Sequence, residues 1–136
     1  RQGQPRRRGR LRPGAWAAVT TVGLLGTRPT MEMDFYAGWL SRRHGIEVLV
    51  PGEADRAMVH RVIFDELCQG RVSEASRREY GRVVYELAGR GAQVVILGCT
   101  EIAMLLPPAE SALPLFDTAA LQAELAVELA LADDAA

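Results

Sequence analysis

The sequence predicts an α/β fold: an open, parallel, four-stranded sheet with helices on both faces. Three observations lead to this prediction. The run Val94–Leu97 contains only Val, Ile and Leu, which is typical of a strand buried on both sides in a parallel sheet. Similar short apolar runs alternate with longer segments whose apolar residues recur at helical spacing. Strands that alternate with helices form parallel sheets with right-handed crossovers.

The length, charge and residue composition exclude several classes of protein. The chain has 136 residues, 49% of them hydrophobic, and a formal net charge of −1. This length predicts one domain with its own core, and the near-neutral charge argues against nucleic-acid binding. With two cysteines and two histidines, neither a disulfide framework nor a metal site is expected, and the cytoplasm is the expected compartment. No apolar run reaches the ~18 residues of a membrane span.

All sixteen basic residues are arginine. Because the Schiff base of a pyridoxal-phosphate enzyme requires a lysine, no residue of this chain can form one. Residues 1–18 are Arg-rich and lack hydrophobic periodicity, so we expect a disordered tail there. An anion-binding arm and sequence foreign to the domain are the alternatives. Residues 19–132 are expected to form the domain, and residues 133–136 a short second tail.

The first strand is expected at Val19–Leu25. In the helix after it, Thr30 is a candidate N-terminal cap, and Gly45 is a natural left-handed residue at its end. His44, just before that glycine, is interpreted as a solvated cation at the helix end. The apolar positions expected on the buried side of this helix are Met31, Phe35, Trp39 and Leu40.

The second strand is expected at Ile46–Val50, followed by a helix over Ala54–Cys68 with a wide apolar face. Cys68 lies on that face and is predicted to be a core residue. His60 falls in the middle of the helix and points away from that face, so it lies either on the surface or within reach of a site. The residues of the apolar face are Met58, Val59, Val62, Ile63, Phe64 and Leu67.

In the second half of the chain, capping residues and apolar spacing predict two more helices, and one more strand besides Val94–Leu97. Ser73 is expected to open a long amphipathic helix, unless Ser76 and Glu79 form a capping box one turn later. A short fourth strand is expected at Leu113–Phe116. The dipeptide Asp117-Thr118 is expected to cap a last helix, whose apolar positions are Leu121, Leu125 and Leu129.

The residues directly after the most apolar strand indicate a site. Gly98 ends the run, and the thiol of Cys99, the hydroxyl of Thr100 and the carboxylate of Glu101 follow it. Ligands of open parallel sheets bind beyond the carboxyl ends of the strands. A thiol there is exposed to the partial positive charge of the next helix, which favours the thiolate and makes it a base or nucleophile. An inert, buried thiol is the alternative.

Several blocks of the sequence together resemble one enzyme family. They are Val22–Met31, Val59–Gly70, Leu97–Ile102 and Phe116–Thr118. Their order and spacing, over about Val19–Leu131, are similar to the second half of the aspartate/glutamate racemase superfamily. The Gly-Cys-Thr-Glu sequence resembles the branch of aspartate racemases and broad-specificity amino-acid racemases.

This resemblance implies amino-acid racemisation without pyridoxal phosphate or any other cofactor. In the family, each of two lobes provides one cysteine, and this chain corresponds to one lobe. Cys99 would be the second catalytic thiol, with Glu101 as a catalytic residue beside it. Thr100 and Glu101 would orient the thiol or hold the ammonium group of an aspartate-like amino acid or dicarboxylate. The residues expected to contact its carboxylate are Gly26, Thr27 and Thr30.

The chain also departs from the family pattern. It holds one lobe, and Cys68, predicted on a helix face, does not replace the cysteine of the other. Gln122 stands where many relatives carry His. The expected partner is therefore a first lobe or a second copy of the chain. A non-catalytic, carboxylate-binding or partner-pairing lobe of a truncated racemase is the alternative function. Hydantoin racemase, maleate isomerase and malonate decarboxylase are the other enzyme alternatives.

Overall fold

The computed structural model describes residues 18–117, apart from the side chains of Phe35, Tyr36 and Arg43. The predictions for the Arg-rich tail, the last helix with its Thr118 cap, Gln122 and the second tail therefore lie outside the described residues. So does the predicted packing of the Phe35 side chain.

The described residues form one sheet of four parallel strands, in the order β2-β1-β3-β4. The strands are β1 (Thr21–Leu25), β2 (Glu47–Leu49), β3 (Val94–Leu97) and β4 (Leu115–Asp117). In the central pair, Leu25 lies opposite Leu97, so β1 and β3 end side by side. The predicted fold class is confirmed.

Five α-helices connect the strands or follow them within the described part of the chain. They are α1 (Arg28–Glu32), α2 (Asp34–His44), α3 (Glu53–Asp65), α4 (Glu74–Gly89) and α5 (Ile102–Leu105). Two short 3-10 turns cover Leu67–Gln69 and Pro108–Glu110. None of the described helices is long and apolar enough to cross a membrane.

The two faces of the sheet carry separate hydrophobic clusters because side chains alternate along each strand. On one face, Leu25 and Val95 pack with residues of α3, α4 and α5. On the other face, Leu24 and Ile96 pack with Leu40 of α2. Helices therefore cover both faces, as predicted.

Three of the strands have different bounds from those expected. Strand β1 begins two residues later than expected, and β2 is one residue shorter at each end. Strand β4 begins only after Pro114, whose carbonyl accepts the N–H of Val95 at 2.9 Å. Proline has no N–H to donate to a ladder, which explains the later start.

The helix predicted to begin near Thr30 is in fact two helices. The chain is extended at Met33 (φ −86°, ψ 150°), which separates α1 from α2. The prediction that Thr30 caps a helix is wrong, because Thr30 lies inside α1 and Thr27 occupies the cap position. The prediction for Gly45 is confirmed, since it ends α2 in the left-handed region (φ 63°).

His44 is not the solvated helix-end residue that the sequence indicated. Its side chain is half-buried, and its Nε2 atom is shielded from solvent without a hydrogen-bond partner among the described residues. The ring packs edge-on against Trp39, with 5.2 Å between the ring centroids. Tertiary packing against an aromatic ring therefore decides the environment of this histidine.

The prediction that Cys68 belongs to the core is wrong. Helix α3 ends at Asp65, and the chain continues as a 3-10 turn in which Leu67 is buried and Cys68 is exposed. The change of helical pitch rotates the side chains away from the positions that an unbroken α-helix would give them. Phe64, also predicted on the buried face, is 49% exposed.

The prediction that Ser73 opens the next helix is confirmed. Its hydroxyl accepts the N–H of Ser76 at 3.0 Å, the usual geometry of an N-terminal cap. The alternative capping box is wrong, because Ser76 is buried inside the first turn of α4. Its hydroxyl donates instead to the carboxylate of Glu66, at 2.8 and 3.0 Å.

Candidate functional site

The loops that leave β1 and β3 meet at one edge of the sheet through two glycines. The N–H of Gly98 donates to the carbonyl of Leu25 at 2.7 Å. A Cβ atom built on Gly98 would lie 2.7 Å from Cγ2 of Thr30, and one built on Gly26 would lie 2.9 Å from the same atom. The two glycines therefore let Thr30 lie directly over the junction of the loops.

This close packing gives a testable prediction for Gly98→Ala. The added methyl would also meet the backbone oxygen of Leu25 at 3.3 Å, so either the chain or Thr30 must move. We expect a loss of about 1–3 kcal/mol in the free energy of unfolding, measured by urea denaturation. Gly81→Ala is the control, because that glycine lies in α4 with open space around it. It should be neutral or stabilise by up to ~1 kcal/mol. Equal values for the two variants would contradict the packing argument.

Three of the predicted substrate-contacting residues lie together at this junction. Gly26 is buried, and Thr27 and Thr30 are half-buried. The hydroxyl oxygens of Thr27 and Thr30 are 3.1 Å apart and share a hydrogen bond. The fourth, Thr100, is exposed, and its hydroxyl donates to the Glu101 carboxylate at 3.4 Å. It therefore lies beside Glu101.

Cys99 lies half-buried just beyond the end of β3, where it packs against the hydrophobic cluster. Its Sγ atom donates to Oε2 of Glu101 at 2.7 Å. The structure thus brings the two predicted catalytic residues into direct contact. Because this hydrogen bond favours the carboxylate, it holds the pKa of Glu101 below its ordinary value.

The expectation that Cys99 favours the thiolate is wrong in this structure. Burial, followed by the hydrogen bond to Glu101 and the charge of that carboxylate, raises the pKa of the Cys99 thiol to about 11. The backbone N–H of Glu101 acts in the opposite direction but is outweighed. The following helix α5 is only four residues long. At neutral pH the sulfur therefore carries its proton.

The Glu101→Gln variant tests this assignment of causes. Without the carboxylate, the pKa of Cys99 should fall from about 11, but only in part, because burial remains. The pKa is measured from the pH dependence of alkylation by iodoacetamide, with Cys68→Ser as background so that one thiol reacts. Glu110→Gln, which removes an exposed carboxylate elsewhere, is the control and should leave the profile unchanged. A pKa that stays the same or rises in Glu101→Gln would contradict the assignment.

For one residue, His60, the sequence did not decide between a location on the surface and one within reach of the site. His60 Nδ1 accepts the backbone N–H of Arg28 at 2.9 Å, and Arg28 directly follows Thr27. The two residues are 32 positions apart, so no local spacing could have indicated the contact. No group of three or more His, Cys, Asp or Glu residues that could hold a metal ion occurs within residues 18–117.

Comparisons with known proteins agree with the fold and identify a family. A family model described as Asp/Glu/Hydantoin racemase matches residues 14–126. The crystal structure of a candidate Asp/Glu racemase from Yersinia pestis is 45% identical, with a TM-score of 0.75 over 88% of this chain and 54% of that one. An aspartate racemase homologue from Pyrococcus horikoshii OT3 is 30% identical, with a TM-score of 0.69 over 85% and 54%. This chain spans about half the length of both relatives.

Proposed function

This chain belongs to the Asp/Glu/hydantoin racemase family, and on that premise we propose that it is one lobe of an amino-acid racemase that works without pyridoxal phosphate. In this proposal the substrate is aspartate or a similar amino acid, and Cys99 exchanges a proton with its α-carbon. The observation that carries the proposal is the Cys99 thiol at the carboxyl end of a central strand, hydrogen-bonded to Glu101 at 2.7 Å.

The proposed chemistry is general acid–base catalysis by the sulfur. In one direction the S–H bond of Cys99 breaks and a C–H bond forms on one face of the planar carbanion, which leaves a thiolate. In the other direction the thiolate removes the α-proton. With a pKa of about 11, Cys99 is mostly a protonated thiol at neutral pH and so is set to donate its proton. Removal of the α-proton depends on its small thiolate fraction, because catalysis needs both the correct protonation state and sufficient basicity. Glu101 receives the S–H hydrogen bond and fixes the orientation of the sulfur.

The residues around the sulfur suggest how the substrate is held. We assign its carboxylate to the β1 loop, where the hydroxyls of Thr27 and Thr30 and the backbone of Gly26 lie together. We assign its ammonium group to Glu101, which is ionised because its pKa is lowered, with the Thr100 hydroxyl beside it. This arrangement would place the α-carbon between the two loops, near the sulfur.

One thiol serves one face of the carbanion, so racemisation needs a second proton-transfer group on the opposite side. We propose that a first lobe, or a second copy of this chain, supplies that group. Sedimentation analysis of the chain distinguishes the two sources: a dimer supports the second copy, and a monomer supports a separate lobe.

The proposed function is tested by deuterium incorporation at the α-carbon of D- and L-aspartate in deuterated water, followed by proton NMR. If the chain is a monomer, we expect exchange in one enantiomer without conversion into the other, because a single thiol reaches one face. If a second copy supplies the opposite group, the dimer should also convert the enantiomers. The rate should rise about ten-fold per pH unit between about pH 8 and about pH 10, since the thiolate fraction does so well below its pKa. Exchange no faster than in Cys99→Ser would reject the proposal.

A second candidate function is a lobe that binds carboxylates or pairs with a partner without catalysing a reaction. The retained proton of Cys99 favours it, because a thiol with a pKa of about 11 is rarely a thiolate at neutral pH. Here a dicarboxylate such as succinate should raise the midpoint of thermal unfolding, while aspartate shows no α-proton exchange. Exchange that depends on Cys99 would exclude this candidate.

A further inference from the structure

We infer that His60 is a positioning residue for the proposed site, and that it acts through the backbone of the β1 loop. The inference rests on the proposed function, because it concerns the loop to which we assign the substrate carboxylate. Its structural basis is the hydrogen bond from the Arg28 N–H to His60 Nδ1, at 2.9 Å.

This hydrogen bond completes the start of α1. The first N–H groups of a helix have no partner within the helix and need one from elsewhere. Thr27, at the cap position, makes no side-chain capping bond, and its hydroxyl is engaged with Thr30 instead. His60, from α3, takes the place of the missing cap for Arg28. Without it, the N–H of Arg28 would lose its acceptor.

The contact also determines which nitrogen of the imidazole carries the hydrogen. A ring nitrogen accepts a hydrogen bond only through a free lone pair, so Nδ1 of His60 is unprotonated and the ring hydrogen is on Nε2. The ring packs against Phe64, with 4.8 Å between centroids, which holds its plane.

His60 is carried by a helix that is itself fixed to the core. The neighbouring Val59 is fully buried, and its carbonyl accepts the hydroxyl of Tyr80 at 2.6 Å. His60 thus links a rigid part of α3 to the loop residue that follows Thr27. The consequence is that Thr27 and Thr30 keep their mutual hydrogen bond, and that Thr30 keeps its place over the glycine junction.

Three variants of His60 distinguish the effect of its hydrogen-bond acceptor from the effect of its side-chain volume. Asparagine places an acceptor oxygen near the position of Nδ1, glutamine places it near that of Nε2, and leucine has no acceptor. We expect His60→Leu and His60→Gln to speed amide hydrogen exchange at Arg28 about ten-fold or more, the effect of losing one hydrogen bond. His60→Asn should restore the protection. The rate of α-proton exchange on aspartate should fall in the first two variants and recover in the third.

The amide readout distinguishes failure of this inference from failure of the proposed function. If Arg28 responds as expected but no variant, including the unsubstituted chain, exchanges α-protons, the positioning contact stands and the proposed function fails. Equal protection of Arg28 in the asparagine and glutamine variants would overturn the inference. So would nitrogen NMR of the unsubstituted chain showing hydrogen on His60 Nδ1, a measurement that does not depend on any variant folding.

Discussion

Replacing Cys99 with serine is expected to lower the rate of α-proton exchange on aspartate at least about 100-fold, the lower end of what a positioned acid or base contributes. Serine keeps the size and the hydrogen bond to Glu101, but its hydroxyl is a far weaker acid than a thiol. It therefore neither gives up its proton nor forms the base at the pH of the assay. The rate is measured by proton NMR in deuterated water at a pH where the unsubstituted chain exchanges measurably.

The control for this variant is Cys68→Ser. Cys68 is the other free cysteine and lies exposed on the turn after α3, so its loss should leave the exchange rate unchanged. Both variants should keep the far-ultraviolet circular dichroism of the unsubstituted chain, because neither removes core volume. An exchange rate that drops equally in both, or in neither, would be incompatible with proton transfer by the Cys99 sulfur.

Replacing Tyr80 with alanine is expected to have the largest effect on stability, a loss of about 3–5 kcal/mol in the free energy of unfolding. Tyr80 belongs to α4 and is fully buried in the hydrophobic cluster that this helix forms with α3 and the sheet. Its removal leaves a cavity and also deletes the hydrogen bond from its hydroxyl to the Val59 carbonyl. Because small domains have only about 5–15 kcal/mol of stability, this change removes a large share of the total.

Two further variants show how much of the lost stability comes from the hydroxyl group and how much from burial of the ring. Tyr80→Phe keeps the ring and removes only the hydroxyl, so it should cost about 1 kcal/mol. Tyr85→Ala, on the same helix but 72% exposed, should change stability by less than about 0.5 kcal/mol. Urea denaturation measures all three. Similar losses for Tyr80→Ala and Tyr85→Ala would show that burial does not set the cost.

Tyr80 is also expected to make the free energy of unfolding decline at high pH. Burial raises the pKa of Tyr80 well above its usual value, helped by the thiolate that Cys99 forms at high pH and by the carboxylate of Glu66. The unfolded chain ionises this phenol near pH 10, and the folded chain does so only at higher pH. The contribution to stability is therefore complete below about pH 10 and declines above it. Tyr80→Phe should show a smaller decline over that range in urea denaturation. An equal decline would contradict the role of Tyr80.

The order of the strands along the chain could be predicted, although three of them have other bounds, because short-range patterns determine which segments are extended. The all-apolar Val94–Leu97 run corresponds to β3, since a strand covered on both faces needs apolar residues at every position. Ser73 and Gly45 mark helix ends as expected, because capping depends on a few neighbouring atoms.

The errors occurred where a local pattern was compatible with more than one backbone path. The apolar periodicity of Ala54–Cys68 extends past the point where α3 ends, and only the chain geometry after Asp65 turns Cys68 outwards. The extended conformation at Met33 likewise divides a segment that periodicity alone joins into one helix. In both places the apolar spacing is compatible with the predicted and with the observed backbone, so the pattern alone could not distinguish them.

By itself, the sequence determined the parallel α/β architecture and the grouping of a thiol, a hydroxyl and a carboxylate after one strand. Those follow from hydrophobic patterning and from residues that are adjacent in the chain. Only the tertiary structure decided that Gly98 meets the β1 loop, that His60 supports Arg28, and that the Cys99 thiol keeps its proton. These properties arise from burial and from contacts between residues far apart in sequence, which no local pattern specifies.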